Sequence, residues 1–481
     1  MAALAQAATS GRGWNGTRLL TGAVWAVAIV ALGSAIALPD QAVDAVLGVG
    51  ALAAVVLALI QPLVAVPLLL FAIPFGSRTS TTDTTTEPTI GAAELLVALL
   101  TLAWLARGAR RRELHIQAGG IVVAVLALVT LAGLSIGYAE DASSAIKETL
   151  KWLELLLALV IVVDLVRETG EVGARWIIGA MFVAGAAEAA YGAFQFITDS
   201  GPAAFDLQGA LRAFGHFDQP NPFAGYLTTI LPLAACMALC RANPVPFRWL
   251  AAGAAFVLAA GIGLSQSRGA WLGAAVAALC LLLAWNRATR RLLIPCGLGA
   301  ALLLALALTG ALPAAILDRL GQAVEYFGVF DVRSVEVTPD NWAVVERMAH
   351  WQAGWYMFLD HPWLGVGAGN YAQAYPAYYV GSWIEPLGHA HNYYINMLAE
   401  LGVVGGGLLV VLLGVTFTQF GGVLVRSESQ RGAFWRAVLA GVFGGFVVFC
   451  VHNLFDSLFV HSVNVQIGVL LGLGLTARQR L

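Results

Sequence analysis

The sequence predicts an all-α protein, a polytopic transmembrane helix bundle of about 12 to 14 spans with a helical region on its outward face. Hydrophobic residues make up 59% of the chain and charged residues only 11%, against about 25% charged in an average soluble protein. Too few charges remain to cover a water-facing surface of this size. Apolar stretches of the roughly 20 residues that cross a hydrocarbon core recur from Arg18 to the C-terminus. The basic residues also cluster on alternate ends of those stretches, as they do when positive loops stay cytoplasmic.

In chain order the apolar runs predict spans near 18–38, 42–60, 62–75, 92–106, 119–138, 149–166, 176–198 and 222–240. Further runs lie near 249–265, 270–286, 292–312, 400–425, 437–459 and 463–477. The run from Pro62 to Phe75 is short and contains Pro67 and Pro74, which suits half of a broken helix or a re-entrant piece. The first run has no small-residue cleavage site after a short core, so it reads as a retained helix. Of the 26 basic residues, 18 fall on one side. They include Arg107, Arg110–Arg112, Arg167, Arg175, Arg287, Arg290, Arg291, Arg426, Arg478 and Arg480. Both termini are therefore expected in the cytoplasm.

A net charge of −2 and basic residues used as loop anchors give no footprint for nucleic acid. Cys236, Cys240, Cys280, Cys296 and Cys450 all lie inside apolar runs, so they form neither a disulfide framework nor a zinc knuckle.

Three outward stretches depart from plain connectors. Residues 76–91 are rich in Thr and read as a solvated loop. Residues 199–221 end in RAFGHFDQPNPFAGYL, where Asn221-Pro222 suits a helix start and places Arg212 just outside the membrane. The longest, from Pro313 to about His391, is expected to form short helices over the bundle. In it, Met348, Trp351, Trp355 and Phe358 make one apolar stripe on a helix, a pattern that suits the membrane interface. The G-x-G-x-G of PWLGVGAGNY lacks a preceding strand and a Walker lysine, so it is not read as a nucleotide loop.

Ionisable groups at the membrane edge are costly unless paired or solvated. Arg212 and Arg268 stand at the same expected depth, where each either pairs with a carboxylate such as Asp218 or Asp456 or grips a phosphate through its planar fork. Seven of the eight histidines fall on the outward side, and His389 and His391 form HAHN. An imidazole beside a hydroxyl can act as a general base. On a helix only one of these two histidines would face a cavity; in an extended segment both could. No acid or cysteine cluster is seen to complete a metal ligand set, so no metal is expected. His452 and Asp456, four apart, are expected on one helix face, either at a site or steadying the helix.

Taken together, RAFGHFDQPNPFAGYL, SQSRGAWLGA, ERMAHWQAGWYMFLDHPWLGVGAGNY, HAHNYYINML and VHNLFDSLF resemble the O-antigen ligase and O-antigen polymerase superfamily. The resemblance covers roughly residues 205–475; the first 170 residues match only as generic apolar helices. It implies a membrane-embedded, metal- and cofactor-independent glycosyltransferase that takes an undecaprenyl-diphosphate-linked glycan as donor and a glycan, lipid or protein hydroxyl as acceptor. It assigns Arg212 and Arg268 to the diphosphate and His391 to catalysis, supported by His389, Asn392, Arg347, His452 and Asp456. The implied place is the outer face of a bacterial inner membrane, with membrane lipid around the bundle. The expected divisions are N-terminal helices (1–170), helices carrying Arg212 and Arg268 (171–312), the outward loop region (313–391) and C-terminal helices (392–481). The alternatives are a protein O-oligosaccharyltransferase of the same superfamily and a membrane transporter, for example for inorganic carbon. Transport would predict charges at the bilayer midplane between inverted repeats, and no repeat is visible.

Overall fold

The computed structural model describes residues 61–76, 91–207, 210–285, 287–291, 293–309, 330–338, 341–426 and 432–481. The expected spans near 18–38 and 42–60, the Thr-rich loop and the first part of the long outward loop lie outside the described residues. Among those described, the chain is all-α apart from one two-stranded antiparallel ladder, Asp206–Leu207 with Ala210–Leu211.

The principal helices are α1 (Pro62–Gly76), α2 (Ala92–Arg111), α3 (Gly120–Ser135), α4 (Ala142–Thr198), α5 (Pro220–Leu239) and α6 (Val245–Ser265). They continue with α7 (Arg268–Trp285), α8 (Leu293–Leu308), α9 (Trp342–Asp360), α10 (Tyr393–Arg426), α11 (Ala433–His452) and α12 (Val463–Gln479). Six of them (α2, α5, α6, α7, α10 and α11) are long and apolar enough to cross a membrane, and α1 and α3 are shorter apolar helices. The protein is a multi-pass helical membrane protein.

Between lipid-soluble helices hydrophobicity gives little drive to associate, so close packing through small residues does that work. The innermost helix, α11, lies against α5. There a Cβ at Gly441 would sit 2.5 Å from Leu233 Cα and one at Gly445 2.4 Å from Thr229 O. One turn apart on α12, Gly468 and Gly472 let that helix lie on the backbone of α4.

Two elements, α10 and α11, differ from the sequence expectation. The expected spans near 149–166 and 176–198 are the two helices within α4 that meet at the break at Gly170 (φ 63°, ψ −145°). The Asp141 side chain caps the first of them by accepting from Ser143 N and Ser144 N. Helix α10 starts at Tyr393 rather than near 400 and is broken at Gly402 (φ 61°). The span near 437–459 ends at His452, so Asp456 does not share a helix face with it. Polar side chains stop that helix: Asn453 Oδ1 accepts from Leu458 N (2.8 Å), and Asp456 Oδ1 accepts from Ser457 N (2.9 Å).

The glycine-rich segment 365–369 is a strap. Gly365, Gly367 and Gly369 all have positive φ, and Cβ atoms there would meet Glu400 C at 2.3 Å, Ala139 Cβ at 2.7 Å and Ser144 O at 2.7 Å. Backbone bonds from Val366 N to Ala399 O and from Gly367 N to Glu400 O tie it to α10. Asn370 ties it to the start of α4 by accepting from Asp141 N and donating to Asp141 O. The glycines thus allow backbone to touch backbone, with no bearing on nucleotides. The apolar stripe of α9 divides in the same spirit: Met348 is buried, Trp351 is half-buried, and Trp355 is exposed beside Phe358.

Candidate active site

Four segments from distant parts of the chain meet on one side of the bundle: the Arg212 loop, the start of α7, α9 with the His389–His391 turn, and the bend after α11.

The Arg212 loop is pinned from both sides. Glu188 and Gln195, seven residues apart and so on one face of α4, hold it from behind. Glu188 accepts from His216 N (2.6 Å) and faces His216 Nδ1 (2.9 Å), and Gln195 bonds both N and O of Gly215. In front, Ala213 N donates to Leu264 O at the end of α6. The guanidinium then donates from Nε to Ser265 O (2.9 Å) and from Nη2 to Asn221 Oδ1 (3.0 Å). Two of its five N–H donors are engaged among the described residues, and three remain for a ligand.

Arg268 opens α7, directly after the turn whose Ser265 holds Arg212. Its neighbour Gly269 lies against the His452 ring, which a Cβ would meet at 3.4 Å. Arg347, on α9, donates to Ala343 O, while its Nε is buried with no hydrogen-bond partner among the described residues. Both of the other cations are close enough to act on Arg212. Burial, then Arg347 and Arg268, push the Arg212 pKa down to about 10, with Asp456 opposing. Of these three, Arg347 is the residue whose importance the sequence understates, because Glu346 beside it makes it read as an ordinary charge pair on an outward helix.

The histidine pair lies in a non-helical turn, so both rings can face the same way, and they do: their centroids are 4.6 Å apart. Asn392 sets the turn as the cap of α10, accepting from Tyr394 N and Ile395 N and donating to Leu454 O. Asn396 accepts from Ala390 N, and Trp351 donates to His391 O. His391 itself has φ 51°, a left-handed backbone that these bonds hold in place.

His389 Nδ1 accepts from the backbone N–H of His391 (3.0 Å). Its neutral tautomer therefore carries hydrogen on Nε2, which points toward Asp456 Oδ1 at 3.9 Å. His391 Nδ1 faces the same oxygen at 3.5 Å. His391 Nε2 is buried with no hydrogen-bond partner among the described residues. The other Asp456 oxygen accepts from Asn221 Nδ2 (2.8 Å).

Burial works to raise the Asp456 pKa, but its contact with His391 and the positive potential of the histidines and Arg347 outweigh it and hold the carboxyl well below its usual range. Burial, then His391, lowers His389 to about 4. His350, one turn past Arg347 and stacked on Tyr375 (4.9 Å), closes the wall at 5.4 Å from the His391 ring. Burial and the other two histidines bring its pKa to about 3.

Two sequence expectations change here. Arg212 pairs with neither Asp218 nor Asp456 directly; Asn221 stands between it and Asp456. An acid does complete a possible ligand set, since His389, His391 and Asp456 offer atoms within 4.8 Å of one another. The sequence shows no such set because the bend after α11 brings Asp456 to His391 from 65 positions down the chain.

Residues 253–410 match the family model described as O-antigen ligase. This match supports membership of the O-antigen ligase and polymerase superfamily. The matched segment contains Arg268, Arg347, His389 and His391; Arg212, Asn221 and Asp456 lie outside it, yet the fold brings them to the same place. No curated protein matches the chain. The same match supports a glycan-transfer role in the membrane.

Proposed function

We propose that the chain transfers a glycan from an undecaprenyl-diphosphate donor to an acceptor hydroxyl at the outer face of the bacterial inner membrane, as an O-antigen ligase or polymerase, with both termini cytoplasmic. The observation that carries this reading is His391 Nε2, buried and without a partner among the described residues, on a ring backed by Asp456, which lies in the field of Arg212 and Arg347. Ionised Asp456 can only accept, so it favours hydrogen on His391 Nδ1 and leaves the Nε2 lone pair to take the acceptor proton. The acceptor oxygen then attacks the anomeric carbon with inversion as the bond to the diphosphate breaks. Long hydrogen bonds such as the 3.5 Å contact to Asp456 commonly tighten once substrate is bound.

Arg212, Arg268 and Arg347 would neutralise charge growing on the leaving diphosphate. Arg212 lies in the field of Arg347, Arg268 and Asp456, and Glu346 in that of His391 and Arg347; a diphosphate diester would bring two negative charges to this mostly cationic cluster. Each positioned charge of this kind is worth about 10²–10³ in rate. Asp456 already accepts from Ser457 N and Asn221 Nδ2, and a metal dication would have to enter a field that is already positive. That balance favours a proton-transfer site over a metal site.

The test is release of undecaprenyl diphosphate in native membrane vesicles, which carry their own acceptors. His391→Ala should abolish transfer and still bind undecaprenyl diphosphate, whereas Arg212→Ala, Arg268→Ala and Arg347→Ala should weaken both. Full activity in all four variants would overturn the proposal.

A further inference from the structure

We infer that Asn221 is a positioning residue that joins donor binding to the general base, acting as a neutral spacer between Arg212 and Asp456. This rests on the function proposed above. Asn221 lies in the first turn of α5 between Pro220 and Pro222, but it caps nothing: the N-cap is Gln219, which makes no side-chain cap bond. Its amide is committed instead to two partners from outside the helix. Oδ1 accepts from Arg212 Nη2 (3.0 Å) and Nδ2 donates to Asp456 Oδ2 (2.8 Å). A guanidinium can only donate and an ionised carboxylate can only accept, so the orientation of the amide is fixed from both ends.

The chemistry needs an amide here. Were Arg212 and Asp456 in direct contact, they would form a buried ion pair. The guanidinium would then be turned away from the diphosphate and the carboxylate away from His391. Asn221 keeps the charges apart and uncancelled while still holding both groups. Its grip on Oδ2 leaves Oδ1 to face His391 Nδ1 at 3.5 Å. A continuous line results, from the guanidinium that would grip the donor, through the amide and carboxylate, to the imidazole that would take the proton.

The experiment measures undecaprenyl diphosphate release in native membrane vesicles for Asn221→Ala, Asn221→Asp, Asp456→Asn and the Asn221→Ala/Asp456→Asn double variant. His391→Ala serves as the control for the underlying function. Loss of the buried bond to Asp456 should lower kcat about 10- to 100-fold in Asn221→Ala. The double variant should have the kcat of Asp456→Asn alone, because Asn221 acts on the base through Asp456. Asn221→Asp should raise the donor KM, since the new carboxylate pairs with Arg212. It should also add an ionisation to the pH–rate profile, because two carboxyls in contact share a proton. Wild-type kcat and KM in Asn221→Ala, or losses that simply multiply in the double variant, would overturn the inference even with His391→Ala dead. An active His391→Ala would instead overturn the function on which it rests.

Discussion

Replacing Asp456 with asparagine tests the proposed chemistry most directly, because it removes one charge and keeps the size. His391 Nδ1 lies 3.5 Å from Asp456 Oδ1. At that separation an imidazolium and a carboxylate attract by roughly 5 kcal/mol with an effective dielectric of about 20. This figure is an upper bound, and proton transfer to His391 would lose part of it. The introduced amide would also present an NH₂ group, which can donate to Nδ1 and so move the imidazole hydrogen to Nε2, where the lone pair is needed. In serine-protease triads the corresponding change costs about 10⁴ in kcat. We therefore expect kcat for Asp456→Asn to fall about 10²- to 10⁴-fold, with the donor KM changed by no more than about threefold. Initial rates of undecaprenyl diphosphate release over a range of donor concentrations would show it, with thermal unfolding in detergent as the check on folding. A folded variant whose kcat stays within tenfold of wild type would refute the assignment of Asp456 as the partner of the base.

Other parts of the fold give three more predictions. Gly365→Ala should cost about 1–3 kcal/mol of stability, because the residue has φ 68° and its Cβ would meet Glu400 C at 2.3 Å; an unchanged melting temperature would show that the strap yields freely. His389 is lowered from its ordinary 6.5 to about 4, so the unfolded chain binds its proton first. Stability should accordingly be complete above about pH 6.5 and fall, by up to about 3 kcal/mol, as the pH drops through that window. Melting at pH 7.5 and 4.5 measures this, and His389→Gln should narrow the gap. EDTA should leave transfer unchanged; loss restored by a divalent metal would convert His389, His391 and Asp456 into a metal site.

Composition and the 20-residue apolar period make the bundle legible, because lipid imposes the same demand on every span. Breaks are harder to read. Gly170 and Gly402 sit among many glycines that merely allow close packing, and only the φ of each distinguishes them. Arg212, Arg268 and His391 stand out in the sequence because a charge in apolar surroundings is costly wherever it lies. Asn221 is visible only as a helix-start residue, since a neutral amide carries no such cost and its two partners come from other segments. For Asp456 the sequence points to the wrong local structure: helical spacing extends past His452 on paper, whereas Asn453 and Asp456 capture backbone N–H groups and end the helix.

The cluster of Arg212, Arg268 and Arg347 also bears on turnover. If the donor is a diphosphate diester, its cleavage leaves a diphosphate monoester, which can carry more negative charge than the molecule that entered. The same field that steadies the departing group would then hold the product more firmly than the substrate. Chemistry would run ahead of release, giving a rapid first turnover and a slower steady rate. Undecaprenyl diphosphate would compete with fresh donor, so the pace of the enzyme in the membrane would depend on how quickly that lipid is cleared from the cavity.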